Sequence, residues 1–592
     1  MSSLLLFWRH LFGQDVEPRR RAGVATDEAV RAEATIFLVL RRMRAPLIIL
    51  ILIFAVTVLG LVLIPGRDAQ GNTYRMGFFD AFYFMSYTAS TIGFGELPHA
   101  FTDAQRMWVL VSIYLTVIGW AYAIGTLLTL LQDRAFRNAL AMQRFTRKVQ
   151  RLREPFLLIA GYGNTGELLG RSWDALGRGF VAVDISADRI DSLDVDPYNA
   201  DVPGLVADAC NPSHLEAAGL QHPYCEGVVA LTNNDEANLA VTMAAALLRP
   251  ELPVIARTVS PAIEERMQAF GTPTVVNPFD RFGDHLRLAV KAPASYQLLS
   301  WFEGGPGSPL PGRCSPPAHG RWVICGYGRF GQELYADLRA EGHEVTIIDS
   351  DAAHHEHPSI VIGDASEPTV MARAEVETAV GFVAGTNNDT TNLSLIAAAR
   401  RRNRNLYTAA RQNQPANAPL FAAMALDLLL VPSEVVAREA YARLSTPLFW
   451  RFLQEIPGQS EEWALDLLDH LTRQCGQRMP ELWKVRMNPE EAPALTDWLE
   501  SGEAALGDLL RDPQDRDQRL PVTPLLQLHD DRTTLCPRVE APLSLNDEVL
   551  FVGTGAGRRA METTMTSRAG AAYAVSGSQV AASWVWRKFA SS

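Results

Sequence analysis

Residues 156–166 read F-L-L-I-A-G-Y-G-N-T-G, and residues 322–331 read W-V-I-C-G-Y-G-R-F-G. Each stretch begins as an apolar strand, passes through G-x-G-x-x-G and enters a helical pattern. About 20 residues later each copy has a second strand ending in an acid: V-A-V-D at Asp184 and T-I-I-D at Asp349. The physics of such a loop is specific. The first glycine allows a tight turn, the second lets backbone N–H groups approach a phosphate, and the third lets helix and strand pack closely. An acid at the second strand end is placed to accept hydrogen bonds from ribose hydroxyls. One glycine loop alone would be weak, but here strand, helix and acid recur at the right interval.

The duplication continues downstream. V-A-D-A-C at 206–210 parallels I-G-D-A-S at 362–366, and A-L-T-N-N-D-E-A-N-L at 230–239 parallels A-G-T-N-N-D-T-T-N-L at 384–393. The chain therefore reads as two α/β Rossmann-like domains. The expected nucleotide contacts are Gly161, Gly163, Asn164, Gly166 and Asp184 in the first copy, and Gly326, Gly328, Arg329, Gly331 and Asp349 in the second. Arg329 can pair bidentately with a phosphate, whereas Asn164 cannot neutralise one, so the second site is expected to favour the more anionic ligand. Thr232, Asn233, Thr386 and Asn387 end fourth strands and are expected to cap the following helices.

Upstream of the repeat, Ala45–Pro65 and Met107–Leu131 are uncharged and long enough to cross a membrane as helices. Arg41, Arg42 and Arg44 precede the first run; Arg134, Arg137, Arg144, Arg147 and Lys148 follow the second. By the positive-inside rule both ends are cytoplasmic and the intervening loop enters from outside. That loop contains T-A-S-T-I-G-F-G-E at 88–96, preceded by a helical pattern over 77–89. Carbonyls of Thr91, Ile92, Gly93, Phe94 and Gly95 could replace the water around a dehydrated cation, provided that four copies close a ring. Glycines at 93 and 95 can take the positive φ that turns neighbouring carbonyls the same way. The C-terminal end of the helix before the loop favours a cation.

The loop resembles the potassium-channel signature T-x-x-T-x-G-Y-G-D, with Phe94 for Tyr and Glu96 for Asp. Both repeats resemble the regulator-of-potassium-conductance (RCK) domain, over roughly 155–302 and 320–456. The resemblance implies a homotetramer in the lipid bilayer, conducting K+, with two RCK domains per chain forming a ring of eight. It implies a regulatory ligand of the kinds this family uses: NAD(H) or ATP/ADP, with Ca2+ in some members. Asp208 and Asp364 match positions near the adenine. Tyr83 and Phe84 stand where family members brace the filter with tryptophan. Gly119 matches the inner-helix glycine that serves as a gating hinge; close helix packing is the alternative role.

The resulting organisation is an N-terminal cytoplasmic segment (1–44), a helical two-span pore unit (45–131), a helical linker (132–154), a first RCK domain (155–302), a Pro/Gly linker (303–319), a second RCK domain (320–456), a β-rich module (457–564) and a tail (565–592). Within the module, 542–553 reads as a closing strand. The formal charge of −12 argues against nucleic acid as a partner, and six cysteines without a C-x-x-C pair fit a reducing cytoplasm. Localisation is expected in the cell (inner) membrane, multi-pass. No acid–base constellation accompanies the glycine loops, so no enzyme is expected. A membrane-anchored NAD-dependent enzyme and a weakly selective cation channel are the alternative readings.

Overall fold

The computed structural model describes residues 44–578 apart from 69, 96–98, 272, 314–315, 318 and 352–356. Arg41, Arg42, Glu96 and most of the N-terminal segment lie outside the described residues. The chain divides into two compact units, residues 1–154 with 203–225, and residues 155–202 with 226–592.

In the first unit, α1 (Arg44–Leu63) and α3 (Asp103–Gln132) are, among the described residues, the two helices long and apolar enough to cross a membrane. Between them lie a two-strand hairpin (Gly66–Arg67 with Thr73–Tyr74) and the short helix α2 (Phe78–Ala89). Thr102 caps α3 in a reciprocal capping box with Gln105, which satisfies donors that would otherwise be orphaned. The two long helices are clasped by Trp108, whose indole Nε1 donates to the Thr57 carbonyl at 3.0 Å. Its ring lies where any side chain at Gly60 would be, so Gly60 makes the close approach possible. A hydrophobic cluster of Val58, Leu61, Met76, Ala81, Phe84 and Met85 locks α2 beneath them. Helix α4 (Arg134–Gln150) follows after a break at Asp133. Short strand Gly204–Val206 and helix Pro212–Ala217, with Asp208 between them, also belong to this unit.

The second unit holds the duplicated fold. In the first lobe, Gly179–Asp184, Phe156–Ala160, Cys225–Ala230, Val254–Arg257 and Thr274–Val276 follow one another across a sheet. In the second lobe the order is Ile360–Ile362, Glu344–Asp349, Arg321–Cys325, Gly381–Ala384, Tyr407–Arg411 and Leu428–Leu430, every pair parallel. Chain order reverses beside the strand that carries each glycine loop, which opens a crevice at the strands' carboxyl ends.

The lobes exchange helices. Phe279, Phe282 and Leu286 of helix Pro278–Lys291, which follows the first sheet, pack into the second lobe's core with Trp322, Phe330 and Leu334. Reciprocally, Val436, Ala437 and Ala440 of helix Pro432–Ser445 pack into the first lobe's core with Leu169 and Trp173.

The C-terminal module is a four-stranded antiparallel sheet in the order Glu481–Arg486, Glu548–Gly553, Val522–His529, Arg532–Leu535. The expected closing strand is Glu548–Gly553, last of the four in chain order and inside the sheet in space. The expected tail begins too early. Residues Gly555–Thr566 and Arg568–Ser576 are helices, and Met565 and Ala571 are buried in the module's core. Alternation along strands did not reveal these helices because their apolar residues are mostly small alanines. Trp584 and Trp586 lie outside the described residues. The Pro/Gly linker is partly paired: Gly307 donates to the Met479 carbonyl and Leu310 to the Gln477 carbonyl.

Candidate functional site

The loop after α2 alternates in backbone handedness. Thr91 has φ +60°, Gly93 +66° and Gly95 +75°, while Ile92 and Phe94 stay on the negative side. Alternating handedness turns successive carbonyls toward one side, the geometry a row of cation sites requires. Sequence reasoning placed Thr91 in this loop and anticipated positive φ at the two glycines, but not at Thr91. A β-branched residue at positive φ is strained, and such strain collects at functional sites. It is held by bonds from α2: Thr91 N–H donates to the Thr88 carbonyl, and the Ile92 and Gly93 N–H groups both reach the Tyr87 carbonyl, at 3.0 and 3.3 Å.

The ring that meets Phe94 is Tyr87, edge to face at 5.9 Å. Phe84 stands behind it, 5.2 Å from Tyr87 and 5.0 Å from Phe101. Tyr83 is a further step away, against Tyr87 and Phe79. Gly119 sits in an unbroken turn of α3, where an added Cβ would lie 2.9 Å from the Ile53 side chain. Its lack of a side chain lets the two spans pack closely.

Both glycine loops have one design. Gly161 and Gly326 each have φ +97°, and their N–H groups donate to the Val183 and Ile348 carbonyls of the next strand. A Cβ on Gly166 or Gly331 would collide with the carbonyl of Gly161 or Gly326, so the third glycine secures helix-to-loop packing. In front of Gly163 and Gly328 a Cβ would meet nothing within 4 Å. Each of these glycines begins a 12-residue helix whose first N–H groups receive no side-chain cap. The residues therefore fit a phosphate-bearing ligand.

Asp184 accepts from the Tyr162 and Ser186 N–H groups at 2.7 and 2.8 Å. Asp349 accepts from Tyr327 and Asp351 at 2.5 and 2.7 Å. These carboxylates shape the loop. Asp208 accepts from Cys210 N–H and Asp364 from Ser366 N–H, and these backbone bonds hold both carboxyls below the usual range.

The residues that cap the next helices are Asn234 and Asn388, one or two positions later than expected. Thr232 and Thr386 instead hydrogen bond to the buried Asn238 and Asn392. Asn233 and Asn387 accept from Arg257 and Arg411, the last residues of matching strands. Sequence reasoning missed these two arginines, although I-A-R-T and A-A-R-Q recur at the repeat's own spacing. Arg411 is pushed down to about 10, chiefly by burial and next by its neighbour Arg257.

The contrast expected between Asn164 and Arg329 is reduced. The Asn164 amide oxygen accepts from Arg189 at 3.0 Å, so a guanidinium also stands at the first loop. Arg329 reaches across to Asp235 of the first lobe at 3.1 Å. Among the described residues no group of three His, Cys, Asp or Glu side chains is placed to hold a metal ion.

Comparison with known proteins agrees with this division. The ion channel family matches residues 47–133, and the TrkA-N domain family matches residues 157–278 and 322–432. Potassium channel protein 1 of Methanocaldococcus jannaschii is 23% identical over 235 residues, 39% of this chain and 66% of that protein. The Trk system potassium uptake protein TrkA homolog of Pyrococcus horikoshii is 28% identical over 171 residues, 27% of this chain and 74% of that protein. The chain spans just under two thirds of the M. jannaschii protein's length. A solved structure described as the GsuK channel bound to NAD aligns over 91% of this chain and all of its own, at 16% identity and TM-score 0.44.

Proposed function

From an ion-channel domain and two TrkA-N domains in one chain, we propose a homotetrameric potassium channel of the cell membrane, gated by nucleotide at its cytoplasmic glycine loops. The observation that carries the reading is the alternating handedness from Thr91 to Gly95. Four such loops around one axis offer successive rings of carbonyls to a dehydrated cation. The exposed apolar faces of α1 and α3 face lipid and neighbouring subunits, and the exposed Ile92 and Phe94 point to the same incompleteness of a lone chain.

The proposed ligand is NAD(H) or ATP/ADP. Asp184 and Asp349 receive ribose hydroxyls, and the uncapped helix starts at Gly163 and Gly328 receive phosphate. No catalytic step is assigned to these residues. Gating requires that the ligand bind the open and closed arrangements with different affinity. The exchanged helices support this, because a change in one lobe is felt in the core of the other.

The test is single-channel recording of the purified full-length protein in a planar bilayer, with NAD+, NADH, ADP or ATP added to each face in turn. The reading expects open probability to change with at least one nucleotide from one face only. A current indifferent to all four removes the gating ligand and leaves the pore.

A further inference from the structure

We propose that Asp235 of the first lobe competes with the ligand for Arg329, so that an anion entering the second glycine loop releases a bond between the lobes. This rests on the reading that the second loop takes a nucleotide phosphate.

The duplicated fold supplies its own control. Asp235 and Asp389 are matching residues, each the first of a helix after a fourth strand. Asp389 is satisfied within its own lobe: it accepts from the Asn413 N–H and side-chain amide, from Gln414 N–H and from the Asn417 amide. Asp235 has no such set. Its Oδ2 takes a long 3.4 Å bond from Val259 N–H and the 3.1 Å bond from Arg329, while its buried Oδ1 has no protein partner. Its side chain is only 10% exposed.

The matching loop residues differ in the same sense. Asn164 is engaged by Arg189 of its own lobe. Arg329 follows the second glycine of the second loop, yet its guanidinium is spent on the other lobe. Arg329 is 61% exposed, so it can leave Asp235 without opening a core. Only the second glycine loop is thus tied to its neighbour through the residue best suited to bind an anion.

The seam can tolerate the exchange. Arg257 and Arg411 converge there, and the Arg411 Nε has no protein partner. Arg411 rests over the Phe279 ring, 5.0 Å from its centre, on one of the exchanged helices. When Arg329 turns to a ligand phosphate, the Asp235 charge remains balanced by Arg257. One positive charge has then left a crowded junction, and the Arg329–Asp235 bond between the lobes is gone.

The experiment measures ADP binding to the full-length protein in nanodiscs, for wild type, Asp235→Asn, Arg329→Gln and the double variant. Asp235→Asn keeps shape and removes the competing charge. The proposal expects it to tighten ADP binding about three- to tenfold at low salt, and expects no gain when Arg329 is already Gln. An Asp235→Asn affinity equal to or weaker than wild type, with Arg329→Gln still weakening ADP, overturns the competition and spares the nucleotide site. A gain that persists in the Arg329→Gln background also overturns it, because the effect would then be general charge. Absence of ADP binding in every variant, with NAD+ and ATP equally silent, overturns the nucleotide reading and the competition with it.

Discussion

Arg281 Nε stands 2.9 Å from a Glu439 carboxylate oxygen, and the two residues lie on the two exchanged helices. Glu439 is nearly buried at 4% side-chain exposure and is shared with Arg443 at 2.7 Å. Trp450 lies under both guanidiniums, 4.3 Å from Arg443 and 5.8 Å from Arg281. One carboxylate therefore neutralises two arginines at the joint where each lobe completes the other. Replacing it leaves Arg443 without this carboxylate and Arg281 with the longer 3.7 Å pairing to Asp284. Glu439→Ala is expected to destabilise the paired lobes by about 3–5 kcal/mol, the usual cost of orphaning a buried ion-pair partner. The check is a lowered first transition in scanning calorimetry of the full-length protein.

A second ion pair gives the paired lobes a pH dependence. His285 Nε2 is 3.4 Å from Glu303. Burial disfavours the imidazolium, but the Glu303 charge and hydrogen bond outweigh it and raise His285 above its ordinary 6.5. Burial likewise opposes the Glu303 carboxylate, and His285 outweighs it and holds Glu303 below its ordinary 4.5. The His285 contribution is complete below 6.5 and is lost as pH rises through its raised value. The Glu303 contribution is present above 4.5 and is lost as pH falls through its lowered value. Wild type should therefore exceed His285→Gln in thermal stability between those two ordinary values. The difference should shrink in alkaline buffer, which melting curves across pH would show.

The loop acids make a further prediction. Asp349→Ala removes the acceptor of Tyr327 N–H and the proposed ribose contact together. Nucleotide affinity at that loop should fall at least about tenfold, from the loss of charge-assisted hydrogen bonds. Equilibrium binding of NAD+ and ADP to the full-length variant tests this, with Asp184→Ala as the matched change in the other lobe.

Tyr87 is expected to matter more to the filter than Tyr83. It carries the ring against Phe94, and its carbonyl receives the Ile92 and Gly93 N–H groups. Tyr87→Leu keeps the carbonyl and removes a ring contact worth roughly 0.5–1.5 kcal/mol. Currents through Tyr87→Leu should decay faster during sustained opening than those through Tyr83→Leu, as paired recordings would reveal.

Much of this was legible because the signals are local. The spans announce themselves by length and lack of charge, and each glycine loop carries strand, turn, helix and acid within roughly 30 residues. Relations between distant segments were not legible. Nothing in the amphipathic pattern of 278–291 says that Phe279 and Phe282 will pack on Phe330 rather than on their own sheet. The arginine seam is a consequence of that exchange, so Arg257 and Arg411 passed unremarked. The positive φ of Thr91 was missed for a different reason: intrinsic preference opposes it at threonine, and the bonds to the Tyr87 and Thr88 carbonyls impose the loop's shape. The early boundary drawn for the tail shows that small, weakly patterned helices such as Arg568–Ser576 depend on packing for their existence.

The most direct test of the central claim is the reversal potential of the purified channel with K+ on one side of a bilayer and Na+ on the other. A selective carbonyl filter predicts a potential displaced strongly toward the K+ equilibrium value, and loss of that current in Gly93→Ala while the variant elutes at the same size as wild type. A reversal potential near zero, with Na+ carrying current as readily as K+, would contradict it.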